Sequence, residues 1–265
     1  MIIVAERINA SRKPVREALE KRDADFIREE ARRQADAGAD YIDVNGGTFP
    51  GLEPELLCWL VETVQEVIPT PLCLDSPDPD ALAAGLRRVK GPPPMINSIT
   101  LEDRRFDRVL GLALEHRAKL IALCQGDAVV APHAKERVEL ASRLVDRLTA
   151  AGLPLEDIFV DPLVFPIATD SEAALQTLDA IAGIRGRFPG AHAICGLTNV
   201  SHGLPARRLL NRTFLVAAMA RGLDAAIIDP TDPLLMASLR SAEAILGRDE
   251  YCMGFIGAFR AGKLE

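Results

Sequence analysis

The residues most able to do chemistry in this chain are carboxyls and carboxamides standing at the ends of short apolar runs. In chain order they are Glu6 with Asn9, Asp43 with Asn45, Asp75, Asn97, Gln125, Asp161, Asn199 and Asp229. Any one of them alone reads as a turn former or helix cap, because Asp and Asn side chains bond readily to nearby backbone. Eight such endings in one chain point to a lined pocket. A carboxylate accepts two N–H donors and an Asn supplies one donor and one acceptor, so the set suits a flat heterocycle with an amidine-like edge. Asp75, Asp161 and Asp229 could in principle hold a divalent metal, but no histidine joins them at ligand spacing and amides are weak ligands, so no metal is expected. No lysine ends a run: Lys119 begins one, which argues against Schiff-base chemistry. Asn45-Gly46-Gly47 lacks the Lys and Ser/Thr that a phosphate loop would place after it.

The elements that must position these residues repeat along the chain. Apolar runs fall at Ile2 to Asn9, Tyr41 to Asn45, Pro71 to Ser76, Pro94 to Ser98, Lys119 to Gln125, Ile158 to Pro162, His192 to Asn199 and Ala225 to Asp229. Amphipathic stretches separate them: Phe26 to Ala37, Glu53 to Val67, Asp80 to Val89, Leu101 to His116, Lys135 to Ala151, Ser171 to Arg187 and Pro205 to Arg221, with Asp232 to Leu246 after the last. Strand and helix alternating eight times, with no linker, predict a single-domain (β/α)8 TIM barrel over residues 1–265. A dinucleotide-binding sheet is disfavoured, since no G-x-G-x-x-G follows the first run. Active sites of such barrels sit at the C-terminal strand ends, where the polar residues fall.

Composition narrows the partners. A formal charge of -7 and scattered Lys/Arg exclude a general nucleic-acid binder. No run approaches the ~18 apolar residues of a membrane span, and the chain start reads as lacking a basic leader. Five cysteines without a Cys-x-x-Cys pair predict free thiols and a cytoplasmic home.

The ordered motifs carry a resemblance. Glu6-Arg7-Ile8-Asn9, Asp43-Val44-Asn45, Leu74-Asp75-Ser76, Ile96-Asn97-Ser98, Val160-Asp161-Pro162, Gly196-Leu197-Thr198-Asn199-Val200-Ser201 and Leu210-Asn211-Arg212-Thr213-Phe214 resemble those of methyltetrahydrofolate:corrinoid protein methyltransferases. Those that serve a corrinoid iron–sulfur protein are the most similar, and the match spans essentially the whole chain. The resemblance implies that Asp75, Asn97 and Asp161 hold the pterin of methyltetrahydrofolate or tetrahydrofolate, and that Asn199 lies near N5 and its methyl group with Arg207 assisting. Glu6, Asn9, Asp43, Asn45, Gly196, Ser201 and His202 complete the expected pocket. His202 departs from the family pattern, in which Gln or Phe is commoner.

The family moves methyl between N5 and cobalt by SN2 displacement, and N5 is a poor leaving group without a hydrogen bond. Asn199 can donate one without changing charge. No Asp-x-His-x-x-Gly segment is present to ligate cobalt, so a cobalamin-type corrinoid is expected on a partner protein, and the family implies a homodimer. A non-catalytic folate-binding barrel and a dihydropteroate synthase are the competing readings. The second lacks its Ser-x-His-Arg segment and the basic residues a diphosphate needs.

Overall fold

The computed structural model describes residues 1–47, 49, 51–126 and 131–264. Its eight strands are β1 (Ile2–Asn9), β2 (Tyr41–Asn45), β3 (Leu72–Asp75), β4 (Met95–Ile99), β5 (Lys119–Leu123), β6 (Ile158–Asp161), β7 (His192–Ala193) and β8 (Ala225–Ile228). They pair in parallel in the order β7-β6-β5-β4-β3-β2-β1-β8. The Ile227 N–H donates to the Cys195 carbonyl at 2.9 Å and the Asp224 N–H to Ala193 at 3.4 Å, which join the two ends into a barrel. The strands read as continuous apolar runs because both faces are covered, one by helices and the other by the barrel interior.

Period-two alternation along the strands explains where the polar residues go. Val4, Tyr41, Cys73, Met95, Ile121, Phe159, Ile194 and Ala225 form a buried cluster inside the barrel. Two residues further along each strand stand Glu6, Asp43, Asp75, Asn97, Leu123, Asp161, Gly196 and Ile227. The layer above the apolar plug is therefore polar on β1 to β4 and on β6, and apolar on β5 and β8. Side chains stacked in such layers are how barrels of this size fill their interior. The opposite mouth is sealed by Lys119 paired with Asp157 at 3.0 Å and His192 with Asp224 at 3.0 Å, in line with Lys119 starting its strand.

The helices are α1 (Lys13–Lys21), α2 (Ala24–Asp36), α3 (Glu53–Gln65), α4 (Pro79–Leu86), α5 (Asp103–His116), α6 (Ala134–Ala150), α7 (Ala173–Arg187), α8 (Arg207–Ala220), α9 (Pro233–Ile245) and α10 (Met253–Arg260). Three features differ from the sequence expectation. The first crossover holds two helices: Arg22 adopts a left-handed φ of 52° after α1, and Asp23 restarts the chain by accepting the Phe26 N–H. The seventh strand stops at Ala193, and Leu197–Ser201 forms a 3₁₀ turn rather than more strand. A last helix, α10, packs against α9 after Asp249 caps it through the Gly254 and Phe255 N–H groups.

Candidate active site

The polar arc is held mostly by carboxyl–amide pairs. Asp43, 2% exposed, accepts from Asn97 Nδ2 at 3.5 Å and from the Cys73 thiol. Asp75 accepts from Asn45 Nδ2 at 2.8 Å, while Asn45 Oδ1 is held by the Gly47 N–H at 3.0 Å. Beside them Ser76 donates to Glu53 Oε1 at 2.5 Å. Gly47 sits close to this pair: a Cβ there would lie 3.2 Å from Glu53 Oε1 and 3.4 Å from Asn45 Oδ1, so both side chains would have to give slightly. Across the barrel, Asp161 accepts the Leu163 N–H at 2.7 Å and the Gly196 N–H as well.

Asp43 and Asp161 are buried and Glu6 and Asp75 half-buried, without a cation against them. Among the described residues none of Glu6, Asp43, Asp75 and Asp161 has a Lys or Arg within ion-pair distance, whereas Asp229 is paired to Arg7 at 2.8 Å. Burial disfavours the charged form, and it dominates here. It lifts Asp161 to about 7, against the two backbone donors and Arg137 that pull it down. Burial and then the Asp229 charge lift Glu6 to about 7. Asp75 is pushed up to about 6 by burial, and Asp43 is pushed up by burial and by Asp75 beside it. Asp229 moves the other way, held below the usual carboxylate range by Thr231 and Arg7. Its oxygens are taken by those two residues, so it braces the wall.

The Leu197–Ser201 turn stands over this arc and is bonded on every side. Thr198 Oγ1 donates to Glu6 Oε2 at 3.3 Å. Arg207, at the start of α8, donates to the Thr198 carbonyl at 2.9 Å and to Ser201 Oγ at 3.1 Å, and Ser201 donates onward to Asn211 at 2.7 Å. The Asn199 carboxamide is exposed and makes no side-chain hydrogen bond among the described residues, and the half-buried Gln125 after β5 makes none either. Gly196 lies under Asn199, where a Cβ would come within 3.2 Å of its Nδ2.

The structure thus brings Glu6, Asp43, Asn45, Asp75, Asn97, Asp161, Gly196, Asn199, Ser201 and Arg207 to one mouth. Ser201 and Arg207 are occupied in building the turn. Asn9 accepts the Ser11 N–H at 3.0 Å and shapes the turn after β1. His202 is exposed; its backbone N–H donates to the Asn199 carbonyl at 3.1 Å and its ring bonds to nothing among the described residues. Sequence reasoning passed over Thr198, Glu53 and Arg137. Arg137 had a signal: it shares the buried face of α6 with Ala141, Leu144, Val145 and Leu148, where a charge is out of place.

A buried arc of donor-hungry carboxyls, beside an apolar wall and under a free carboxamide, fits a flat N–H-bearing ring. The family model described as pterin binding enzyme matches residues 5–229. The chain belongs to the pterin-binding enzymes. It is 38% identical over 266 residues to a methylcorrinoid:tetrahydrofolate methyltransferase of Eubacterium limosum, covering 100% of this chain and 98% of that one. It is 33% identical to methionine synthase of Mycobacterium leprae over 248 residues, 86% of this chain but 20% of that protein. Among solved structures, the dihydropteroate synthase of Yersinia pestis superposes with a TM-score of 0.69 over 93% of this chain and 94% of that one, at 15% identity, which shows a common fold. Among the described residues no helix of this pterin-binding barrel is long and apolar enough to cross a membrane.

Proposed function

We propose that this protein transfers a methyl group between N5 of tetrahydrofolate and the cobalt of a corrinoid carried by a separate protein, with Asn199 as the residue that hydrogen-bonds N5. The observation that carries the reading is the free Asn199 carboxamide, carried on a hydrogen-bonded turn above an arc of carboxyls that no cation pairs among the described residues. Full-length similarity to a methylcorrinoid:tetrahydrofolate methyltransferase supports it.

In this reading Asp75 and Asp161 accept the pterin's N–H groups, and Asn97 supplies one donor and one acceptor. Carboxylate acceptors suit the donors of the pyrimidine edge, and the apolar Leu123 and Ile227 side of the pocket suits its faces. The methyl carbon leaves N5 as the carbon–nitrogen pair stays behind on nitrogen, and it is taken up by the electron pair of reduced cobalt. Asn199 Nδ2–H points a donor at the growing lone pair, and in the reverse direction releases it. Because the turn that carries it is hydrogen-bonded in place, the amide is delivered to the site with little backbone reorganisation as the bond breaks. Glu6, with its carboxyl raised to about 7 and bonded through Thr198 to the same turn, is placed to hold a proton near the site at neutral pH.

Two further parts belong to this reading. The mouth carries the Asn199 turn outward, so the corrinoid protein docks at the strand ends. A second copy of the chain covers the face of α8, α9 and α10, where Leu209, Val216, Leu234, Ile245, Met253 and Phe259 are exposed, and a cytoplasmic setting keeps the five thiols free.

The test is anaerobic turnover: methyltetrahydrofolate mixed with a reduced corrinoid protein, followed by the cobalt(I) absorbance and by tetrahydrofolate release. Stoichiometric methylation of cobalt supports the reading. Tight folate binding with no methyl transfer to any reduced corrinoid sinks it.

A further inference from the structure

Among the described residues Arg137 is the largest fully buried side chain, and it carries a charge. It lies on α6 at 1% exposure, and among the described residues its hydrogen bonds go to neutral oxygens and no carboxylate pairs with it. Instead its guanidinium donates Nε–H to the Ala131 carbonyl at 2.9 Å and Nη2–H to Pro132 at 3.0 Å. Nη1 donates to the Leu163 carbonyl and to Thr177 Oγ1, both at 3.0 Å. It also stacks over Phe165 at 4.9 Å. A buried cation is costly without such bonds, and one bonded only to neutral oxygens keeps its field largely unneutralised nearby.

The Leu163 peptide is what links this cation to the pocket. Leu163 adopts a φ of 66°, unusual for a branched residue. Its carbonyl is gripped by Arg137, with Thr177 Oγ1 at 3.2 Å sharing its one proton between it and the Ala173 carbonyl at 3.0 Å, and its N–H is given to Asp161 Oδ1 at 2.7 Å. The residue is therefore held at both ends, by Arg137 behind and Asp161 in front.

We propose that Arg137 is a positioning residue for Asp161, fixing the carboxyl through the Leu163 peptide and biasing it toward the ionised form that accepts a ligand's N–H groups. This rests on the reading of Asp161 as a pterin contact. The bonding supplies the geometric half and the unpaired charge supplies the electrostatic half. The groups facing Asp161 are Cys124 after β5, Arg137 on α6, and Cys195 with the Gly196 N–H after β7. Asp170 and Glu136 face Arg137. Arg137 is the one cation in that set, and burial would otherwise keep Asp161 protonated at neutral pH.

The experiment compares the parent with Arg137→Gln and Thr177→Val. Asp161 ionisation is followed in the ligand-free protein by carboxyl ¹³C shifts, its signal assigned with Asp161→Asn, and tetrahydrofolate affinity is titrated from pH 6 to 9. In folded Arg137→Gln the Asp161 midpoint should rise from about 7, and affinity at pH 7 should fall by roughly fivefold for the first unit of rise, the loss of ionised carboxylate when a midpoint at the working pH moves up by one unit, then recover as pH rises. Thr177→Val keeps the cation but removes a shared donor from the Leu163 carbonyl and an acceptor that anchors Arg137 Nη1, loosening the link to Asp161, and should weaken binding by a smaller factor. An unmoved Asp161 midpoint in Arg137→Gln overturns the proposal, as does a loss of affinity that high pH does not restore. Should Arg137→Gln not fold, parent affinity in Thr177→Val overturns it. A parent protein that binds no tetrahydrofolate would instead defeat the pterin reading, leaving the carboxyl titration to judge Arg137 alone.

Discussion

At the scale of the residue, Asn199 is predicted to matter to the transition state more than to the bound ligand, because the N5 lone pair is strongest as an acceptor when the methyl has left. Asn199→Ala should retain folate affinity and melting temperature while single-turnover methyl transfer falls by about 10² to 10³, the range for losing one preorganised donor. A folded variant with the parent rate would remove Asn199 from the chemistry. The carboxyls make a second prediction. Glu6 and Asp161 are raised to about 7 and Asp75 to about 6, so the folded, ligand-free protein holds protons that the unfolded chain has lost. Its stability should therefore fall as pH rises from the ordinary carboxyl range, near 4, to about 7. Asp224 and Asp229 are lowered instead, and their stabilisation is lost only below that range. A ligand that needs Asp161 and Asp75 ionised should bind more tightly as pH rises through the same interval, with protons released. Titration calorimetry in two buffers of different ionisation enthalpy at pH 6 reads that release, and buffer-independent heats would contradict it. The carboxyls themselves were legible in the sequence, because a parallel strand with both faces buried leaves polar residues only at its end. Arg137 was legible only as a charge on the buried face of α6; its role was not, since its partners are carbonyls and a hydroxyl on other parts of the chain.

At the scale of the element, spacing located every strand, yet the ends depended on local bonds that spacing does not encode. The seventh run looked like eight residues of strand, but the Thr198 and Ser201 hydroxyls offer the backbone and their neighbours other partners, and the chain turns after Ala193. The first crossover looked like one helix because Arg22 is an ordinary residue in a left-handed position. Helix packing gives a prediction at this scale. Gly183 on α7 faces α6 so closely that a Cβ would sit 2.6 Å from Val138 Cγ2. Gly183→Ala should destabilise by about 1 to 3 kcal/mol through overpacking, despite the higher helix propensity of alanine, and Val138→Ala should relieve it in the double variant. A melting temperature raised by Gly183→Ala would show that the two helices can part freely.

For the whole molecule, the exposed apolar side chains of α8, α9 and α10 form the surface least suited to water. Ile245 is 81% exposed and Phe259 62%, and an isolated chain seldom leaves a broad apolar face uncovered. Sedimentation should report a dimer for the parent, and Ile245→Asp with Phe259→Asp should yield a folded monomer. A monomeric parent at micromolar concentration would leave that face to another partner. The barrel itself closes unevenly. Seven of its seams are strand ladders, but between β7 and β8 the join rests on the bonds from Asp224 to Ala193 and from Ile227 to Cys195, at the foot of the Asn199 turn. A hoop opens where its clasp is shortest. In hydrogen exchange the Asp224 and Ile227 amides should trade with solvent well before those of β2 and β3, and bound folate, spanning Asp161 on one side of that clasp and Asp75 well around the ring, should slow them most of all.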